Sequence, residues 1–239
     1  MKKHKLILTS LASMVILGTG FLTLQQENIL AAETNTTASA TNQDGLMTKD
    51  GKTYLFENGE KATGWRMIKV QTPDKKVTEQ WLYFDEFGVS QTGWLSYNGS
   101  WYYLYDSGKN NFGTMVTQFN RLNGVVYYFS ETGEMKQNEW FQDKGNWYYA
   151  DQSGALKIDD WFVVDGKWYF ATNKGMILID NFIKDKGIFY YCDPSGAMKV
   201  NTWFEKNGKW YYASESGAIL RNTVTPDGYK VNEKGEWVQ

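Results

Sequence analysis

Trp140 and Trp147 stand seven residues apart, and the same spacing returns at Trp161 and Trp168 and again at Trp203 and Trp210. Earlier in the chain Trp94 and Trp101 repeat it, and Trp65 and Trp81 form a wider pair. Paired indoles suit one kind of chemistry. The face of an aromatic ring is negative and attracts a cation, above all a quaternary ammonium whose charge is spread over methyl groups. Each ring contributes about 0.5–2 kcal/mol, so three rings give roughly 2–5 kcal/mol and a site of about millimolar affinity. Several such sites on a rigid array, meeting a polymer that presents many cations, strengthen overall binding by a factor on the order of 10²–10⁴.

Other chemistries find little support in the composition. His4 is the only histidine and lies in a leader-like segment, so a chain without that segment has no Ser–His or Cys–His pair and lacks the donors of most zinc sites. Cys192, the only cysteine, excludes an intrachain disulfide. It stands in a column otherwise filled by Ala150, Ala171 and Ala213, which marks a small packed residue rather than a reactive thiol. The paired carboxylates Asp159-Asp160 fall at a junction between repeats, where a solvated turn is expected instead of an acid–base pair. Loss of Lys2, Lys3, Lys5 and Glu27 with the leader leaves 22 basic and 26 acidic residues, a net charge of −4. Such a surface is a poor partner for nucleic-acid phosphates and a better one for cations. A non-enzymatic protein without a cofactor is expected.

The tryptophans need elements to hold them, and the spacing says which. From Trp140 to Arg221 the chain repeats every 21 residues: Trp140, Trp161, Phe182 and Trp203 form one column and Trp147, Trp168, Phe189 and Trp210 a second. Gly154, Gly175, Gly196 and Gly217 form a third, and turn dipeptides ending in Gly145, Gly166, Gly187 and Gly208 separate the first two. An aromatic-rich run, a Gly-containing dipeptide and a Trp-Tyr-Tyr-like run predict a β-hairpin closed by a two-residue turn with positive φ. One hairpin cannot bury its own aromatic face, so the units are expected to stack as an all-β solenoid of hairpin repeats of about 20 residues. With a two-residue loop, Trp140, Trp147 and Tyr149 share one face of the hairpin and Phe141 and Tyr148 the other. If the Trp face looks toward the next hairpin, Tyr169, the counterpart of Tyr148 there, points back at it.

Taken in order, residues 1–32 read as a secretory signal: a basic start at Lys2, Lys3 and Lys5, an apolar core from Leu6 to Leu24, and a small-residue site at Leu30-Ala31-Ala32. The apolar run approaches spanning length, but Gly18, Gly20 and the Ala-Ala site favour a cleaved leader over a membrane anchor. Residues 33–44 are small and polar, as in a flexible tether. The repeats fill residues 45–239 in about nine units, the two ends being caps. Polar insertions around Pro73 and Lys109 lengthen two turns, and Phe119 to Phe129 is a degenerate unit in which Val126 stands for the second Trp. A secreted, surface-attached protein with no membrane span after cleavage is expected.

The pattern Gly93-Trp94, Asn98-Gly99, Trp101-Tyr102-Tyr103 and Gly196-Ala197-Met198 resembles the choline-binding, or cell-wall-binding, repeats of Gram-positive surface proteins. The tail Asp227-Gly228-Tyr229-Lys230-Val231-Asn232 with Gly235-Glu236-Trp237 is similar to the closing segment of streptococcal members. The resemblance implies a β-solenoid that holds phosphocholine of teichoic and lipoteichoic acids in cages of two Trp and a Tyr from the next unit. Carried over by position, these are Trp140, Trp147 and Tyr169; Trp161, Trp168 and Tyr190; Trp94, Trp101 and Tyr127; Trp65, Trp81 and Tyr102; and Trp203, Trp210 and Tyr229 from the irregular tail. Phe182 with Phe189, and Phe119 with Val126, depart from the pattern, and weak or absent sites are expected there. The Met that often accompanies a cage is present at Met115, Met135 and Met198 but replaced by Leu156, Ile177 and Ile219.

Three functions compete on these grounds: a surface protein held to choline-bearing wall polymer and acting as an adhesin, an α-glucan-binding repeat protein that uses its rings as sugar platforms, and the targeting part of a cell-wall hydrolase. The third is least favoured, because hydrolases of the family carry a separate catalytic module and only the tether lies between leader and repeats.

Overall fold

A computed structural model describes residues 44–71, 76–106 and 112–238. The leader, all of the tether but Asp44, and the tips of the two insertions, Pro73 and Lys109 included, lie outside the described residues. The chain divides at Val116/Thr117 into two compact units. All regular structure among the described residues is β, in twenty strands and nine sheets.

The first unit opens with a three-stranded meander, β1 (Gly45–Lys49), β2 (Lys52–Glu57) and β3 (Glu60–Lys61), followed by two hairpins, β4 (Gly64–Gln71) with β5 (Val77–Phe84) and β6 (Gly93–Tyr97) with β7 (Ser100–Leu104). The second holds five hairpins: β8 (Gln118–Leu122) with β9 (Val125–Phe129), β10 (Glu139–Asp143) with β11 (Asn146–Ala150), β12 (Asp160–Val164) with β13 (Lys167–Ala171), β14 (Asn181–Asp185) with β15 (Ile188–Cys192), and β16 (Thr202–Lys206) with β17 (Lys209–Ala213). A meander of β18 (Thr223–Val224), β19 (Lys230–Val231) and β20 (Trp237–Val238) closes it.

Each 21-residue hairpin has the expected two-residue turn. Lys144 and Gly145 adopt φ of 47° and 81°, and Asp165 and Gly166 49° and 74°, the paired positive values that match the right-handed twist of the flanking strands. The register follows: Trp140 faces Tyr149, Phe141 faces Tyr148 and Gln142 faces Trp147. Trp140, Gln142, Trp147 and Tyr149 therefore occupy one face, and Phe141 and Tyr148 the other, as the two-residue loop requires.

The core runs between successive hairpins. Tyr149 stacks on Phe162 of the next hairpin at 5.3 Å, and Tyr191 on Phe204 at 4.5 Å, with Tyr169 and Tyr211 flanking. Ala150, Ala171, Cys192 and Ala213 are completely buried, so Cys192 fills an alanine position, and burial raises its thiol pKa to about 12.

Two further devices hold the repeats together. In the linking turn the Asp151 carboxylate accepts the Ser153 amide at 2.9 Å and the Ser153 hydroxyl at 2.6 Å, and Asp193 does the same with Ser195. Three residues past Ser153, the Leu156 amide reaches back to the Val126 carbonyl of the preceding hairpin at 2.9 Å. Ile177 to Trp147, Met198 to Trp168, and Ile219 to Phe189 repeat that bond at 2.8–2.9 Å, as does Met115 to Trp81 in the first unit. The acceptor is always the backbone of a second-column residue, so this tie is indifferent to the side chain there.

Candidate functional site

Three first-column tryptophans touch a tyrosine of the following hairpin. Trp140 meets Tyr169 edge-on at 4.7 Å, Trp161 meets Tyr190 at 5.2 Å, and Trp65 meets Tyr102 at 5.1 Å. Trp203 lies 5.9 Å from Tyr229 of the closing meander, and its indole N–H donates to Asp227 Oδ2 at 2.7 Å. The indole N–H and the Thr225 hydroxyl hold the Asp227 carboxyl below its usual range, the hydroxyl acting most strongly. Trp94 and Trp101 are 6.3 Å apart, edge to face, whereas Tyr127 belongs to the second unit.

Second-column rings are placed differently. Trp101, Trp147, Trp168 and Trp210 are 40–46% exposed, and Trp147, Trp168 and Trp210 make no ring contact among the described residues. Trp81 is half-buried. A first-column indole and a tyrosine form a packed floor; the second-column indole stands beside it as an open wall. An open groove of about 520 Å³ runs along Trp140 and Trp147, lined also by Gln142, Lys136, Glu131 and Tyr128. Tyr128 belongs to the preceding hairpin, and Tyr169 is not among the residues that line this groove.

Carboxylates stand near some of these tyrosines. Burial, then the carboxylates of Asp165 and Asp193, pushes the Tyr169 phenol pKa up, and burial followed by Glu236 does the same to Tyr211. Carboxylates that make a phenol hard to ionise also make a nearby cation welcome.

Sequence reasoning missed what surrounds the substituted rings. Phe182 keeps its tyrosine contact, 5.1 Å from Tyr211, and Phe119 lies 4.9 Å from Tyr148. Over Phe189, however, sit Lys184 Nζ at 5.4 Å and Arg221 Cζ at 4.7 Å from the ring centroid. Lys184 was within reach of sequence reasoning, because it is the residue directly opposed to Phe189. Arg221, at the end of the next repeat, was not. The Asp227 partner of Trp203 likewise leaves no periodic signal, since it belongs to the irregular tail.

Comparison with known proteins places this arrangement. The choline-binding repeat family matches residues 74–110 and 197–237, and a cell wall binding repeat matches 117–135, 138–156 and 180–198. The structure of CbpJ from Streptococcus pneumoniae TIGR4 is 30% identical over 80% of this chain and 79% of its own, with a TM-score of 0.50. The chain belongs to the choline-binding repeat proteins. Another member, choline binding protein F from Streptococcus pneumoniae, is 28% identical, covers 82% of this chain and 93% of its own, and has a TM-score of 0.50. Glucosyltransferase-S of Streptococcus mutans is 31% identical over an alignment of 125 positions that covers 43% of this chain and only 8% of that protein's length. The choline-binding repeat fold, all-β and built of repeated hairpins, is thus the fold expected from the spacing of the turns.

Proposed function

We propose that the chain binds choline headgroups on cell-wall teichoic and lipoteichoic acids, anchoring itself non-covalently to the cell surface as a secreted, non-enzymatic adhesin. The observation that carries this reading is the recurrent triad: a first-column Trp against the next hairpin's Tyr at 4.7–5.2 Å, with an unpartnered second-column Trp beside it. Trp140, Trp147 and Tyr169, and Trp161, Trp168 and Tyr190, are the best-formed examples, and Trp65, Trp81 and Tyr102 follow. Trp203, Trp210 and Tyr229 form a more open one. The Trp94–Trp101 pair, 6.3 Å apart, supplies two rings of a fifth.

Chemistry supports choline at such a triad. A trimethylammonium group cannot donate a hydrogen bond and loses less on leaving water than a primary amine, so rings with an acidic rim retain it best. One triad binds at roughly millimolar strength; several acting together on a polymer give useful retention. A second reading, α-glucan binding, draws on the 31% identity to part of glucosyltransferase-S and on rings that suit sugar faces.

Tryptophan fluorescence titrated with choline, and separately with dextran, separates the two. The choline reading expects a saturable change in the millimolar range with choline and none with dextran. The reverse result assigns the array to glucan.

A further inference from the structure

On the exposed face of each hairpin one residue stands between the two aromatic columns, directly opposed to the second-column side chain. It is Met67 opposite Trp81, Ser96 opposite Trp101, Gln142 opposite Trp147, Val163 opposite Trp168 and Glu205 opposite Trp210. In the two hairpins that have lost their tryptophans it is Arg121, opposite Val126, and Lys184, opposite Phe189. All seven are exposed, so packing does not dictate their identity. The five hairpins with paired tryptophans hold a neutral or acidic residue there, and the two without them hold a base.

The contacts give that division a physical meaning. Lys184 lies on the same face as Phe182 and Phe189, and its ammonium stands 5.4 Å from the Phe189 centroid. Arg221 covers the same ring at 4.7 Å and is held by a 2.6 Å bond from Nε to the Glu233 carbonyl. The cation-attracting surface of Phe189 is thus already used by two of the protein's own charges. A third cation brought there meets repulsion at about 5 Å, which offsets what one ring face contributes.

We propose that the residue between the columns is a charge selector: a neutral or acidic side chain admits a cationic ligand to its hairpin, and a basic one closes the hairpin by occupying the site from within. Hairpin Asn181–Cys192 is closed by Lys184 and Arg221, hairpin Gln118–Phe129 by Arg121, and hairpin Thr202–Ala213, with Glu205, is the most receptive to cations. This inference rests on the choline reading and names the residue that decides which repeats take part.

Counting bound [¹⁴C]choline per chain by equilibrium dialysis tests it, with melting curves confirming that each variant is folded. Glu205→Lys and Val163→Lys, both surface substitutions that leave every tryptophan in place, should each remove one choline equivalent or weaken one site at least tenfold. Phe182→Trp with Phe189→Trp should add none while Lys184 and Arg221 remain, and should add one once Lys184→Gln and Arg221→Ala are combined with them. Unchanged binding in both lysine variants, or a new equivalent with Lys184 and Arg221 intact, overturns the selector while leaving the choline reading in place. No choline uptake by the unmodified chain overturns both.

Discussion

Hairpins Asp160–Ala171 and Asn181–Cys192 are neighbours in one array, have the same register, and turn through Asp165-Gly166 and Lys186-Gly187 with the same pair of positive φ angles. Their first-column rings approach the next tyrosine equally, Trp161 at 5.2 Å and Phe182 at 5.1 Å. Their second-column carbonyls accept the same 2.8 Å backbone bond from Met198 and Ile219. Their outer faces differ: Trp168 is 45% exposed with Val163 opposite, while Phe189 lies under Lys184 and Arg221. Fold and site are therefore carried by different parts of the same twenty-odd residues. Inner rings, turn glycines and backbone acceptors stack the repeats, and the outer side chains are left to vary.

The largest effect should come from confusing those two faces. Phe162 is buried between Tyr149 and Tyr169, so Phe162→Ala should cost about 3–5 kcal/mol in urea unfolding, whereas Trp168→Ala, which removes an exposed ring whose backbone tie remains, should cost under about 1 kcal/mol. Comparable losses would erase the distinction.

A smaller effect separates two kinds of glycine. Gly154, in a linking turn, has φ of 84°, and a Cβ there would lie 2.4 Å from Met135 Cε; Gly145, in a hairpin turn, has φ of 81° with open space around it. Gly154→Ala should destabilise by about 2–3 kcal/mol and Gly145→Ala by about 1 kcal/mol, the first combining backbone strain with displacement of a packed methionine. Equal losses would mean that Met135 yields freely.

The smallest effect is pH-dependent and distinguishes the linking turns of the two hairpins. Asp193 pairs with Lys199 at 3.1 Å, whereas the corresponding positions after the first hairpin are Thr172 and Leu178. Burial pushes the Asp193 pKa up, but the Ser195 hydroxyl and amide and the Lys199 ammonium outweigh it and leave it below the usual 3.8. Its contribution is complete above that value and is lost as pH falls through the depressed one. Urea midpoints between pH 2 and pH 6 should therefore fall less steeply for Asp193→Asn than for the unmodified chain. A Thr172→Val control should leave the acid limb as it was, and parallel curves for all three would remove Asp193 from the account.

Much of the fold was readable because its causes are local. Glycine dipeptides set the turns, and turn length sets facing, so the partition of Trp140, Trp147 and Tyr149 from Phe141 and Tyr148 follows from sequence alone. The tie from Leu156 to Val126 was not readable, since a backbone bond across thirty residues has no residue signature. A column of left-handed residues, Asn138, Asp159, Asp180, Asn201 and Asn222, is visible at the same 21-residue period, but Asp159 was read only as part of a solvated turn. In three repeats these residues also receive a hydroxyl: Tyr149 donates to Asn138, Tyr191 to Asp180 and Tyr212 to Asn201. The meeting of Trp140 with Tyr169 and of Trp161 with Tyr190 was legible as parity. That the second-column Trp stands apart from that contact, and that Phe189 is covered by Arg221, depends on how repeats rotate past one another.

Calorimetric titration of choline into Trp168→Ala and Phe189→Ala tests the central claim most directly, because the two variants remove the equivalent ring from the two hairpins. The account predicts loss of about one site's binding heat in Trp168→Ala and a titration unchanged from the unmodified chain in Phe189→Ala. Equal losses in both, or none in Trp168→Ala, would contradict it.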